Sequence, residues 1–179
     1  MKMPTRTFTA LDRLYDKLEK REAPLDSEIL EEIAEHIGSV FRVQRDEVAV
    51  LELSPSGKAL RFVLPEKLQA VGEIPLTSTT ALAARTARER RSDIVNNFAT
   101  SRHASVFEGV PLGRRQDEVI HKIMSVPVLL GDKVIGVAQI SRKGASPLDA
   151  GPDFTPRDLG ELQGLSTLLR RLLALPRAE

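Results

Sequence analysis

The stretch "SVPVLLGDKVIGVAQIS", Ser125 to Ser141, decides the reading of the fold. It is apolar except for one polar interruption, Gly131-Asp132, and such a dipeptide between two apolar runs is a hairpin turn. Strands are expected over about 121–130 and 133–142. On the second strand Val134, Gly136, Ala138 and Ile140 share one face, while Ile135, Val137, Gln139 and Ser141 share the other. A sheet with one wet face alternates apolar and polar side chains. Here both faces begin apolar, so both are expected to be covered. The strand at 48–53 agrees: Val48 and Val50 point one way, and Ala49, Leu51 and Leu53 the other. Gly136 and Ala138 are small, which suits either a closely packed helix or a pocket floor. Gln139 is polar in an apolar setting, which fits a ligand contact, an edge position or a hydrogen bond to a loop.

Working outward, residues 5–22 place Phe8, Leu11, Leu14, Tyr15 and Leu18 at helical spacing, and Ala23-Pro24 ends that helix. Asp26 or Ser27 caps a second helix whose inner face is Ile29, Leu30, Ile33, Ile37, Val40 and Phe41. "EVAVLELSPSGKALRFVL" reads as two strands joined by a Pro-Ser-Gly turn, and "GEIPL" as a third. "TSTTALAARTARERR" reads as a helix capped by Thr77 or Ser78, and "SDIVNN" returns to the sheet. Residues 97–118 form a long loop, of the kind that often carries function. The tail is a helix with Thr155 at its N-cap, Pro156 at its first position, Asp158 three residues after the cap, and Pro176 as its stop. The order α-α-β-β-β-α-β-loop-β-β-α predicts an α+β fold. A central antiparallel sheet of about six strands would lie between two helical layers. One layer is the terminal helices; the other is helix 77–91 with the long loop. Residues 1–24 are read as an amphipathic dimerisation or signalling helix, 25–175 as a single domain, and 176–179 as a tail.

The 26 basic and 25 acidic residues leave a net charge of +1, which gives no nucleic-acid-binding field. The basic runs "RTARERR" and "GRRQ" are read as solvated surface. There is no cysteine, which excludes disulfides, thiolate zinc sites, a cysteine nucleophile and thioether-linked chromophores. His36, His103 and His121 show no metal-ligand spacing, so no metal site is expected. The charged N-terminal stretch does not read as a signal peptide. No segment approaches the ~18–20 apolar residues that cross a bilayer. The expected compartment is the cytoplasm, with no membrane partner.

"SVPVLLGDKVIGVAQISRKG", followed by "FTPRDLGELQGLS", resembles the end of a GAF domain, a PAS-like sensory module with a sheet between helical layers. Cyclic-nucleotide-binding members of that family carry Asn-Lys, then Phe, three residues, and Asp-Glu. Here Lys143, Phe154 and Asp158 fit, whereas Arg142 stands at the Asn position and Leu159 at the Glu position. A salt bridge from Lys143 to Asp158 would close the intervening loop onto the sheet, and Phe154 would staple the helix start. The resemblance implies a ligand between the sheet and the 77–118 layer. Its candidate contacts are Thr79, Asn96, Asn97, Arg102 and His103, with Thr77, Ser78, Thr80 and Ser105 nearby, and Gln139 from the sheet. Thr79 and Thr80 also suit a helix start, Asn96-Asn97 a turn, and Arg102 and His103 a wet surface.

One branch resembling the family reduces free methionine sulfoxide through cysteine thiolates, chemistry this chain lacks. No catalytic constellation emerges, so an enzyme is not expected, and no residue pattern names a cofactor. The expected function is a sensory or regulatory domain that binds a small molecule such as a nucleotide and signals through its terminal helices. The alternative is a dimerisation or interaction module with a collapsed pocket. Leu162, Leu165, Leu169 and Leu172 follow a three-four-three spacing. They are expected to form a homodimer bundle of terminal helices, the alternative being burial against residues 5–22 of the same chain.

Overall fold

The structure, a computed structural model, describes residues 6–21, 24–100 and 117–175. Among the described residues four α-helices, α1 (Arg6–Arg21), α2 (Ser27–Phe41), α3 (Leu82–Glu89) and α4 (Pro156–Ala174), surround one sheet. Its strands are β1 (Val48–Leu53), β2 (Ala59–Leu64), β3 (Glu73–Pro75), β4 (Asp93–Val95), β5 (Val119–Leu130) and β6 (Lys133–Gly144). They lie in the order β3-β2-β1-β6-β5-β4, every neighbouring pair antiparallel. The quoted hairpin is thus the middle of the sheet, and the turn residue Gly131 takes the left-handed φ of 61° that two-residue hairpins favour. Both edge strands are only three residues long.

The sheet is covered on both faces, as the apolar pattern requires. Val48, Val50, Met124, Val126, Val128, Ala138 and Ile140 pack against α1, α2 and α4. Leu51, Leu60, Phe62 and Val137 pack against α3 and the turn bearing Leu68. The α2 start is fixed by Asp26, whose side chain accepts from Ile29 N at 2.9 Å. The α4 start has a reciprocal cap: Thr155 Oγ1 accepts from Asp158 N, and Asp158 Oδ2 accepts from Thr155 N.

Three expectations need correction. First, α3 begins at Leu82, not at Thr77. Ser78 does act as a local cap, accepting from Ala81 N at 3.1 Å, but it closes a turn that precedes the helix. Second, strict alternation fails in β6. The pairing with β5 skips Ile135, with Val128 opposite Gly136 and Leu129 opposite Val134. Val134 therefore packs on the α3 side and Ile135 on the α4 side, the reverse of a regular pleat. Gly136 lies under α4: a Cβ there would be 2.3 Å from Leu51 O and 2.7 Å from Leu173 Cδ1. A packed helix, not a pocket, accounts for that small residue. Third, Leu162, Leu165, Leu169 and Leu172 are at most 1% exposed within one chain, against α1 and the sheet. They are not a free face for a second copy. Arg171 adds ion pairs to Asp12, Asp16 and Glu19, tying α4 to α1.

Candidate functional site

Between the sheet and the α3 layer lies a cavity of about 100 Å³. Ala49 and Gln139, paired across β1 and β6, lie on its sheet side. Phe62, Leu68, Ile74, Phe98, Ile120 and Ile123 form an apolar wall, and Ala81, Leu82 and Ala83 at the start of α3 complete it. The layer is close to the sheet here because α3 packs through alanines, Ala83, Ala84 and Ala87, which let a helix approach closely.

The polar lining is concentrated in two places. One is the end formed by Asp46, Glu47, Ser141 and Lys143. Glu47 is 6% exposed, and its carboxylate accepts from Gln44 N at 2.9 Å and from Lys143 N at 2.7 Å. Lys143 Nζ donates to Asp46 O at 3.1 Å and lies 3.3 Å from Asp46 Oδ2. That pair is nearly buried, with side-chain exposures of 12% and 11%. The cluster anchors β6 to the turn before β1. Nothing in the sequence pattern singled out Glu47; a lone acid ahead of an apolar strand reads as surface.

The second place is Gln139. Its Nε2 donates to Ser125 Oγ at 3.1 Å. Ser125 Oγ is 2.7 Å from Thr86 Oγ1, which donates to Leu82 O at 3.0 Å. Thr86 and Ser125 are 1% and 0% exposed. A buried polar chain therefore links the cavity to the α3 backbone.

The other candidates are placed elsewhere. Thr79 and Thr80 are exposed and border a separate cleft of about 130 Å³ with Arg85, Val95 and Phe98. Asn96 clasps the segment before α4: its Nδ2 donates to Phe154 O at 3.1 Å and its Oδ1 accepts from Phe154 N at 2.9 Å. Asn97 is exposed. Arg102, His103 and Ser105 lie outside the described residues.

The predicted Lys143–Asp158 bridge is replaced by a different closure. Lys143 pairs with Asp46, and Asp158 caps α4. Arg142, at the position where the resembling motif has Asn, closes the loop instead. Its guanidinium lies 4.2 Å from the Phe154 ring centroid and donates to Phe41 O at 3.1 Å and to Pro152 O at 2.5 Å. Burial lowers the Arg142 pKa, and Asp158, Glu47 and Asp153 oppose that shift. Alternation along β6 carried this signal. Arg142 shares the parity of Ile140, on the α4 side, and Lys143 that of Gln139, on the cavity side.

Among the described residues no helix is long and apolar enough to cross a membrane, and no group of three or more His, Asp or Glu could hold a metal ion.

Comparison with known proteins follows the same architecture. The family model described as GAF domain matches residues 27–173. No curated protein matches the chain. Among solved structures, the GAF domain of the Acinetobacter phosphoenolpyruvate-protein phosphotransferase aligns at a TM-score of 0.63 and 15% identity, covering 96% of this chain and 95% of that one. Residues 122 to 287 of a methyl-accepting chemotaxis protein align at 0.64 and 14% identity, over 90% of this chain and 96% of that one. The fRMsr of Staphylococcus aureus, solved in complex with substrate, aligns at 0.55 and 17% identity, over 97% and 99%. At these identities the likeness is one of fold.

Proposed function

Because the chain belongs to the GAF domain family, a sensory and regulatory fold of signalling proteins, we propose that it is a non-catalytic sensor whose cavity under α3 takes a small molecule. The observation that carries this reading is the half-open, mainly apolar cavity whose described lining includes one amide, Gln139, joined through Ser125 and Thr86 to α3. A guest that engages Gln139 acts on a chain of hydrogen bonds ending at Leu82 O, in the first turn of α3. The inner volume of about 100 Å³ seats a small group, not a whole nucleotide. Absence of catalysis is supported by the lining: Lys143 is paired with Asp46, and Ser141 Oγ is turned to Glu47 O at 3.5 Å.

Output runs through the terminal helices. α1 and α4 lie side by side, joined by Arg171, and α4 also packs on the hairpin that carries Gln139. Association with a second copy would use the outward faces of α1 and α4, since their leucines are already buried. The alternative, an interaction module with a closed pocket, draws support from the small cavity. Native mass spectrometry of freshly purified protein, with thermal shift across small organic molecules, tests the choice. A copurifying guest, or stabilisation that Gln139 substitution removes, supports the sensor. Absence of both sinks it.

A further inference from the structure

The polarity of the Gln139 chain follows from counting hydrogens, and it bears on what the cavity accepts. Two hydroxyl hydrogens and one amide group serve three bonds: Gln139 to Ser125, Ser125 to Thr86, and Thr86 to Leu82 O. Leu82 O can only accept, so Thr86 spends its hydrogen there. Ser125 must then donate to Thr86 Oγ1, and only an N–H of Gln139 can reach the remaining lone pair of Ser125. With the amide reversed, Ser125 would donate to Gln139 and Thr86 to Ser125, and the bond to Leu82 O would be lost. The amide orientation with Nε2 on Ser125 is thus the one that makes all three bonds. It leaves Gln139 Oε1 as an acceptor with no partner among the described residues, on a residue that lines the cavity.

The rest of the lining restricts the guest further. A charged guest entering this space needs a partner of opposite sign. Among the described lining residues, Lys143 and Asp46 hold each other, and the Glu47 carboxylate accepts two backbone N–H groups. Size is the third constraint. A closed, dry cavity of about 150 Å³ holds benzene, so the inner 100 Å³ of this half-open recess seats roughly four to five non-hydrogen atoms beside Gln139.

We propose that the guest is a compact, uncharged, mainly apolar molecule whose one N–H or O–H group donates to Gln139 Oε1. The proposal rests on reading the cavity as a ligand site, and it adds the class of ligand. Pyrrole and furan separate the two ideas. Both are five-atom rings of nearly equal size; pyrrole has an N–H donor, and furan has none. Each is titrated at millimolar concentration into the full chain while backbone amide NMR shifts of Ala83, Ile123 and Gln139 are followed. Pyrrole is expected to bind about tenfold more tightly than furan, the size of one buried hydrogen bond. Gln139→Leu should bring the two to equal affinity. The wild-type ratio needs no variant, so it stands even where Gln139→Leu misfolds. Equal binding of pyrrole and furan to the wild type overturns the ligand class and leaves the cavity as a site. Failure of both rings to move these amides overturns the class together with the cavity reading.

Discussion

Thr86→Val removes one hydroxyl from a fully buried chain while conserving shape, so its cost measures polar satisfaction and little else. Thr86 is 1% exposed, and its Oγ1 accepts from Ser125 at 2.7 Å. In the variant the Ser125 O–H, itself at 0% exposure, keeps an acceptor because the Gln139 amide can turn and offer Oε1 in place of Nε2. Thr86→Val therefore loses the Ser125–Thr86 and Thr86–Leu82 bonds without leaving an orphan, at a cost of about 1–2 kcal/mol. In Ser125→Ala, Thr86 still donates to Leu82 O at 3.0 Å, and the freed Gln139 amide borders the cavity, where it can turn. That variant should also cost about 1–2 kcal/mol. Both single variants break the same Ser125–Thr86 bond, which the double variant loses only once. The double variant should therefore be more stable than the sum of the singles predicts, with a coupling of about 1 kcal/mol. Urea denaturation of the four proteins, monitored by far-ultraviolet circular dichroism with a common m-value, supplies the cycle. Additive singles would refute the buried bond between Ser125 and Thr86 on which the chain depends.

Tyr15→Phe should stabilise the protein by about 1 kcal/mol at neutral pH, because the Tyr15 hydroxyl is buried with no hydrogen-bond partner. Burial also raises the phenol pKa in the folded state, so stability is complete below the unfolded value near 10 and falls as pH rises above it. The gap between Tyr15→Phe and wild type should then widen by about 1 kcal/mol near pH 11, read from urea midpoints at pH 7 and 11. Gly136→Ala should destabilise by about 3 kcal/mol or prevent folding, since the new methyl meets the Leu51 carbonyl and Leu173; thermal melts decide it. Arg142→Ala should cost about 1–2 kcal/mol and speed hydrogen exchange at the amides of Gly151 and Phe154, and Arg142→Lys should not restore it, because lysine lacks the planar fork that spans two carbonyls and a ring.

What could be read from residue order had local causes. The α4 start is written in Thr155, Pro156 and Asp158 because a capping box is completed within four residues. The covered sheet is written in a hairpin whose two faces are both apolar. The beginning of α3 is ambiguous in residue order because Thr77, Ser78, Thr79 and Thr80 all carry cap-like hydroxyls, and only the packing of Leu82 and Ala83 chooses the start. The bulge at Ile135 depends on how β5 and β6 pair over their whole length, which no window of one strand contains. Of the site, Gln139 was legible as a polar residue among apolar ones. Glu47 and Asp46 were not, because their value comes from meeting Lys143 across nearly a hundred positions of chain.

The placement of the long hairpin at the centre of the sheet, with three-residue strands at either border, has a consequence for behaviour at high concentration. The most adhesive backbone in the molecule is already zipped on both sides, and what remains at the rims is too short to recruit a stranger's backbone, with Pro75 further blunting one of them. Crowded solutions of this protein should resist fibril growth until the sheet itself comes apart.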